Sequence, residues 1–309
     1  SLNATFNIGH NKNKIDKLAS GEKEWILTSA WRNDVVNSDD YRAYVGGTSG
    51  LIYGYVNDGF YTVADFESFD SKSRTWKLKE GVVDSSPLSD TPRPGNAKFK
   101  KLTPVDPNST NPYQLTEADR TVIGNTTPKF SGGFGLNATY KGFDMSMFFN
   151  FMYDFDVLNA NKIMLTTWAD NKENNFLMDI ASDKRWRNFD DMGNEIRYSP
   201  EVLAEFNKNA TMWNPTSIGR PICMSYAVED GSFLRLNSAT LGYTLPSVWT
   251  KKVGLSKVRF YVSGNNLFTL TGYSGYDPEV NIATGLTPNI DYNRYPRSRT
   301  YTFGAQLTF

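Results

Sequence analysis

The chain has 309 residues, and its 33 Lys and Arg side chains balance its 33 Asp and Glu side chains, so the formal net charge is zero. A neutral chain lacks the basic surface that nucleic-acid binding requires, which argues against a nucleic-acid partner. The single cysteine, Cys223, excludes a disulfide within the chain, and His10 is the only histidine. We therefore expect no catalytic site, no cofactor and no bound metal, and we do not predict an enzyme.

The hydrophobic content predicts strands rather than membrane helices. No apolar run approaches the ~18 residues of a transmembrane helix. A membrane-spanning β-barrel remains compatible with this composition, because half of each barrel strand faces water. Aromatic residues make up 14% of the chain, which suits a barrel with aromatic girdles.

The first third of the chain contains one clear strand pattern and two weaker ones. Apolar and polar residues alternate in "LNATFNI" from the second residue onward, which predicts a strand. The runs 25–31 and 51–63 are predicted as weaker strands. Residues 64–130 are polar and rich in Pro, Asp, Ser and Asn, which is typical of a linker, but their Tyr and Leu residues favour an ordered loop.

The strongest pattern lies in "GFGLNATYKGFDMSMFFNFMYDF", residues 133–155. Alternation up to Tyr140 is followed by a tight turn at Lys141–Gly142. After the turn, every second residue from Phe143 to Phe155 is apolar, over a length well beyond the ~5–6 residues of an ordinary soluble strand.

The last third of the chain adds three more long patterns, at 233–245, 257–270 and 299–309. The alternation breaks around residues 234–237, where we expect a bulge or a strand that rises above the membrane. About ten residues per strand, tilted by ~40°, span the ~25 Å apolar band of an outer membrane. Short and long connections alternate after residue 133, as they do in outer-membrane barrels, where the long ones are external.

The chain ends on a fully patterned strand. In "RTYTFGAQLTF" the apolar residues share one face up to the final phenylalanine, although chain ends usually fray. This pattern predicts a terminal barrel strand that serves as a signal for barrel assembly, and an ordinary edge strand is the alternative. The residues of this predicted signal are Tyr301, Phe303, Leu307 and Phe309.

Several motifs resemble the C-terminal strands of SusC/RagA-type TonB-dependent transporters. They are "VEDGSFLRLNSATLGYTLP" (228–246), "VRFYVSGNNLFTLTGYSGYDPEV" (258–280), "YPRSRTYTFGAQLTF" (295–309) and "LTEADRTVIGNTTPKFSGGFGLNATYKGFDMSMFFNF" (115–151). Within them, the pattern-matching residues Asn265, Asn266, Leu267, Phe268, Asp277 and Pro278 are expected to be structural: a strand end, then a turn fixed by Asp-Pro.

The resemblance implies an all-β fold: the C-terminal portion of a large transmembrane antiparallel β-barrel, with about 22 strands in the complete protein. Residues 1–309 would supply about eight or nine of these strands. Long extracellular loops are expected at about 64–130, 156–231 and 271–297. The N-terminal plug and the segment that contacts TonB are expected to lie outside this chain, together with the remaining barrel, since open strand edges are not tolerated in lipid.

The resemblance also implies a function and its partners. It implies TonB-dependent active import of an oligomeric nutrient, a glycan or a peptide, across the outer membrane of a Gram-negative bacterium. The expected partners are a SusD-like surface lipoprotein, the TonB energy-transducing complex, and outer-membrane lipid. Two alternatives stay open: a passive porin or surface-binding barrel, and a soluble carbohydrate-binding β-sandwich.

Two sets of residues are candidate contacts for a ligand. Asp106, Asn108 and Glu117 have the spacing of calcium-loop positions, but Asn111 replaces the turn glycine and two prolines intrude, so we predict no metal site. Three tryptophans of the long 156–231 loop, Trp168, Trp186 and Trp213, could stack on sugar rings or contact a partner. The alternative for each is that it packs the loop onto itself.

Overall fold

The structure is a computed structural model that describes residues 1–29, 31, 39–89, 91–167, 175–219, 221–279, 281 and 285–309. Strands dominate these residues, and the helices are short. The α-helices are α1 (Ala160–Leu165), α2 (Pro200–Phe206) and α3 (Ser247–Thr250). Single 3-10 turns lie at Ala19–Gly21, Val63–Asp65, Glu117–Asp119, Met178–Ile180, Pro215–Ser217, Ser225–Ala227 and Lys251–Val253. Within the described ranges, we find no helix with the length and apolarity needed to cross a membrane.

The strands fall into two length classes, long ones in a single large sheet and short ones elsewhere. In chain order they are β1 (Leu2–Gly9), β2 (Glu24–Thr28), β3 (Asp39–Tyr44), β4 (Leu51–Gly54), β5 (Asn57–Phe60), β6 (Phe66–Asp70), β7 (Thr75–Leu78), β8 (Ala97–Phe99), β9 (Thr121–Asn125), β10 (Phe130–Tyr140), β11 (Phe143–Tyr153), β12 (Asp156–Asn159), β13 (Val228–Asp230), β14 (Phe233–Thr244), β15 (Lys257–Thr271), β16 (Ile290–Asp291) and β17 (Thr300–Thr308).

The large sheet, called here the long sheet, has the antiparallel order β1-β10-β11-β14-β15-β17. Among the described residues it contains six strands, fewer than the predicted eight or nine. The difference lies in the runs 25–31 and 51–63, which form the short strands β2, β4 and β5. Strands of four or five residues cover less than ~20 Å and do not reach across an apolar membrane band.

Each face of the long sheet has its own chemistry. One register row runs Leu2, Ala138, Met145, Leu241, Val262, Phe303, and the adjacent row runs Asn3, Asn137, Ser146, Thr240, Ser263, Thr302. Because side chains alternate across a strand, the first row belongs to an apolar face and the second to a polar face. The apolar face carries stacked rings, such as Phe134 and Phe149 with centroids 4.5 Å apart. A soluble sandwich would cover such a face with a second sheet, but Leu2, Leu241 and Phe303 of this row are exposed, Phe303 by 81%.

Two local predictions about the long sheet are confirmed. The turn at Lys141–Gly142 has φ values of 47° and 89°, as a two-residue hairpin turn requires. The register of β14 against β15 shifts between Leu236 and Ser238, which leaves Asn237 unpaired in a bulge.

All long connections leave the long sheet at one end. They are the first connection (10–129), the second connection (154–232) and the third connection (272–299), and the opposite end has only 141–142 and 245–256. Together we call the three long connections the cap. The ordered-loop prediction for 64–130 is confirmed by burial, since Phe99 and Leu115 are 0% and 2% exposed.

The cap has a core to which all three connections contribute. Tyr41 and Ile52 from the first connection pack with Leu158 from the second and Ile290 from the third. The second and third connections also share a sheet, because β12 pairs with β13 and, in parallel, with β16. This shared core fixes the loops over one end of the long sheet.

Candidate functional site

A cleft opens on the cap between the second and third connections, with a volume of ≈ 740 Å³. Its polar lining includes Asn159, Asn161 and Lys162, which lie at the start of α1. Tyr276 and Tyr295 of the third connection line it as well, and their side chains are 88% and 85% exposed. Large exposed rings beside amide groups form a surface that suits binding of an oligomeric ligand.

Glu229 of β13 anchors the polar side of this cleft. Its carboxylate accepts hydrogen bonds from Asn159 Nδ2 at 2.9 Å and from the Ser274 hydroxyl at 2.8 Å. The Lys162 ammonium lies 3.6 Å from it, and both side chains are nearly buried. Lys162 also lies 4.2 Å from the centre of the Tyr226 ring. The lining side chains are therefore held in place by a neutralised network before any ligand arrives.

Asp291 of β16 ties the third connection to the helix beside the cleft. It accepts a hydrogen bond from the Tyr273 hydroxyl at 2.7 Å and one from Asn161 Nδ2 at 3.3 Å. Burial raises the pKa of Asp291, and these two hydrogen bonds offset the rise only in part. Burial and the bond to Asp291 likewise raise the pKa of Tyr273.

The groups around the cleft are suited to recognition of a ligand. Both carboxylates, Glu229 and Asp291, are engaged by neighbouring donors. The Ser274 hydroxyl is among these donors, since it is hydrogen bonded to Glu229. Among the described residues, no group of three or more His, Cys, Asp or Glu is placed to hold a metal ion. Its aromatic rings and amides can instead pack against and hydrogen bond to a ligand.

The sequence and fold match known proteins across nearly the whole chain. The sequence is 32% identical over 310 residues to TonB-dependent receptor P3 of Formosa agariphila, and the match covers 98% of this chain and 26% of that protein. Over 88 residues, 27% of this chain and 8% of the relative, it is 38% identical to TonB-dependent receptor SusC of Bacteroides thetaiotaomicron. The chain belongs to the SusC/RagA-type TonB-dependent receptors.

The fold agrees with this membership. A structure of the RagAB peptide transporter aligns with all of this chain and 27% of that chain, with a TM-score of 0.61 and 22% identity. The RagAB peptide importer in its open-open state aligns with a TM-score of 0.60. No family model matches the sequence. The chain spans about a quarter of the length of the relatives it matches, and the long sheet is the C-terminal portion of their barrel.

In this receptor segment, two of the three tryptophan candidates do not lie at the cleft surface. Trp213 is 1% exposed, packs edge-on against Tyr226 with ring centroids 4.8 Å apart, and donates its indole N–H to the Thr166 carbonyl at 3.3 Å. Trp186 is 2% exposed and lies against Phe60. These two rings therefore pack the cap onto itself, the alternative that the sequence left open. Trp168 lies outside the described residues.

The predicted calcium-loop positions do not converge on one point. Asp106 caps its own turn by accepting from the Asn108 backbone N–H at 2.9 Å. Glu117 begins a 3-10 turn and pairs with Arg120 at 3.4 Å. The buried carboxylate nearby is Asp119, whose pKa burial alone would raise, but five hydrogen bonds from Leu102, Thr103 and Thr116 hold it well below its usual value.

Two of the family-pattern residues, Asn266 and Asp277, make structural contacts, and the placement of Asn266 differs from the prediction. Asn266 lies within β15, at a bulge rather than at a strand end, with φ of 53°, and its amide donates to the Ser298 carbonyl at 3.1 Å. Asp277 is buried in an ion pair with Arg235 of β14, with Nη2 and Oδ1 2.5 Å apart.

The terminal strand β17 lies at an edge of the long sheet and pairs with β15 alone. The four residues of the predicted assembly signal point to solvent from one face; Phe309 is 89% exposed. A strand with a free edge is placed to pair with a further strand. Its role in assembly stays a prediction.

Sequence reasoning missed Tyr276 and Tyr295 as candidate contacts. Each stands in a polar stretch beyond a strand, in "YSGYDP" and "DYNRYP", without the periodicity that would bury it. An aromatic residue in such a stretch is the signal that could have identified them.

Proposed function

We propose that this chain forms the C-terminal barrel portion and the external cap of a receptor that imports an oligomeric nutrient across the outer membrane, driven by TonB. The main observation behind this proposal is that three long connections form one packed cap, with an open cleft, at a single end of a two-faced sheet. The names of its relatives, TonB-dependent receptor and SusC, and the peptide-transporter title of its structural neighbours support the proposal.

The two faces of the long sheet give its orientation in this proposal. The apolar face contacts outer-membrane lipid, and the polar face lines the lumen. On the polar face Arg259 donates to both carboxylate oxygens of Asp144, with Nε and Oδ1 2.8 Å apart. Such a pair is satisfied inside a water-filled lumen and costly against lipid.

The cap faces the cell exterior, and the cleft contributes to substrate contact. The substrate is an oligomeric glycan or peptide, and a SusD-like lipoprotein covers the cap. The TonB contact and the plug belong to the part of such receptors that this chain does not match. In this proposal the chain binds its substrate without chemical change, as the receptor and transporter names of its relatives suggest.

The first test is purification of the native receptor from outer membranes in detergent, with the intact mass of every co-purifying chain. The proposal expects a polypeptide much heavier than 34.8 kDa, or this chain beside a second chain that carries the rest of the barrel, together with a lipoprotein. A 34.8 kDa monomer that needs no detergent would refute it.

A second test separates active import from a passive pore. Growth on a panel of glycans and peptides, with and without the receptor gene, identifies the imported class. Uptake should stop when TonB is deleted or the proton gradient is collapsed, whereas a passive porin would continue to admit its solute.

The contribution of the cleft is tested by substitution. The double variant Tyr276→Ala/Tyr295→Ala should reduce uptake. The control Met192→Ala, at a residue that is 85% exposed elsewhere on the cap, should leave uptake unchanged.

The orientation has its own test. In a Met192→Cys variant, a membrane-impermeant maleimide should label intact cells at this position, because the cap lies outside. Label that appears only after lysis would place the cap in the periplasm.

A further inference from the structure

A second, smaller pocket of ≈ 170 Å³ lies in the cap, between the β6–β7 hairpin, the segment 91–94 and the second connection. Three arginines line it, Arg74, Arg93 and Arg197, and no acidic residue is among its described lining residues. Hydroxyl and amide groups complete the polar lining, from Thr75, Thr91 and Asn188. The pocket is thus a small cavity lined by several hydrogen-bond donors, the arginine side chains among them.

Two of these guanidinium groups lie close to one aromatic ring. Arg74 Cζ lies 4.7 Å and Arg197 Cζ 5.6 Å from the centre of the same ring, Tyr198. Tyr198 in turn stacks on Phe69, with centroids 6.1 Å apart, and Phe69 packs on Trp76 of β7. This packed base restricts where the two like charges can move, so part of the cost of assembling an anion site is met before binding.

The two arginines beside Tyr198 differ in their acidic partners. Arg197 forms an ion pair with Glu195. Arg74, at the exposed tip of the hairpin with φ of 55°, takes part in none of the ion pairs described between residues of this structure. Guanidinium groups match the planar and tetrahedral oxyanions geometrically and bind them through paired N–H donors.

We propose that this pocket binds an anionic group, a carboxylate or a sulfate, with Arg74 and Arg197 as its principal donors. The pocket volume accommodates one such group rather than a whole oligomer. It lies apart from the cleft lined by Tyr276 and Tyr295, so it adds a charged contact at a distinct place on the cap. The group can belong to a free ion or to an acidic oligosaccharide.

The site is tested with sodium selenate, a sulfate analogue with an anomalous signal, in crystals of the full receptor complex. We expect an anomalous peak within hydrogen-bond distance of Arg74 and Arg197. The double variant Arg74→Gln/Arg197→Gln should lose the peak. The charge-matched variant Lys72→Gln/Lys77→Gln should keep it; Lys77, on the same hairpin, is 71% exposed and outside the pocket lining.

Two results would overturn the proposal: an empty pocket at a selenate concentration that fills other surface positions, or a peak that survives in the arginine double variant. Neither result depends on import, so failure of the anion site and failure of the proposed function are separable. A folded arginine variant, verified by unchanged cap proteolysis, keeps the comparison interpretable.

The source of the anion is decided by a second arm, with fluorescent hexagalacturonate and its carboxyl-reduced, neutral counterpart. If the pocket takes an acidic group on an oligosaccharide, only the acidic hexamer should bind. The arginine double variant should weaken it about tenfold or more, since each charge-assisted bond accounts for roughly that factor. Selenate binding without binding of the hexamer would assign the pocket to free anions.

Discussion

Replacing Asp277 by Asn removes one charge from a buried ion-pair network that joins the long sheet to the cap. Arg235 of β14 contacts Asp277 through Nη2 at 2.5 Å and Glu279 through Nε at 3.1 Å. The Arg235 and Asp277 side chains are 3% and 5% exposed. Glu279 also contacts Arg297, with the two groups 3.3 Å apart. The network therefore fixes the start of the third connection against a barrel strand.

The expected cost follows from what remains around Arg235. Breaking a buried pair so that one charge is left alone costs about 3–5 kcal/mol. In the Asp277→Asn variant Arg235 retains Glu279 as a counterion and Asn can still accept a hydrogen bond, so we expect about 2–3 kcal/mol. The variant Asp277→Asn/Glu279→Gln leaves the Arg235 guanidinium without a counterion and should lose the full ~3–5 kcal/mol of local stability.

Hydrogen exchange of the third connection in the intact receptor measures this cost. A loss of 2–3 kcal/mol in local stability corresponds to about 30- to 160-fold faster exchange of its protected amides. The control Glu205→Gln removes a carboxylate that is 74% exposed and paired with Lys208, and it should change exchange less than about threefold. If Asp277→Asn behaved like this control, the ion pair would not hold the connection.

The pH dependence of the same variant has a defined sign. Burial alone would raise the pKa of Asp277, but the hydrogen bond from Arg235 and the Glu279 backbone N–H hold it below its usual value. A depressed pKa means that the stabilisation is present above the unfolded-state pKa of ~3.9 and is lost as the pH falls below it. The difference between wild type and Asp277→Asn should therefore shrink below about pH 4.

Three further outcomes are expected. If Phe149 on the apolar face lies against lipid near the midplane, Phe149→Arg should lower the free energy of unfolding in urea by about 2–4 kcal/mol. Ser146→Arg on the polar face should lower it by less than about 1 kcal/mol, and equal costs for the two variants would contradict the orientation. Gly95→Ala should lower the local stability of the cap, measured by hydrogen exchange, by about 1–3 kcal/mol, because φ is 90° and the new Cβ would lie 2.2 Å from Trp186. Gly81 has a similar φ and no atom within 4 Å of the new Cβ, so Gly81→Ala measures the backbone strain without the clash. Burial raises the pKa of the Cys223 thiol, so a thiol reagent at pH 8 should modify it roughly 100-fold more slowly in the native receptor than in urea, and equal rates would contradict its burial.

Local patterns alone predicted the long strands and their two faces. The ends of strands β11 and β17 were predicted within two residues, because an alternation of period two persists over nine or more positions. Such an alternation separates apolar from polar side chains only in a strand. The hairpin turn and the bulge at Asn237 were predictable for the same reason, since each interrupts that period at a defined place.

The cap was decided by tertiary structure. Strands such as β3 and β16 have six and two residues, too few for a periodic signal, and they form because partners distant in sequence supply their hydrogen bonds. The same holds for Trp213, which became a core residue because Tyr226 and the second connection surround it.

The division follows the range of the interactions. Alternation, turn residues and strand length are properties of neighbouring residues, so the sequence by itself determined a two-faced sheet of membrane-spanning length. Burial in the cap, the pairing of Arg235 with Asp277 across 42 positions, and the exposure of Tyr276 depend on contacts between distant segments. Only the tertiary structure decided these, because the free energy of each such contact depends on the other segments that complete it.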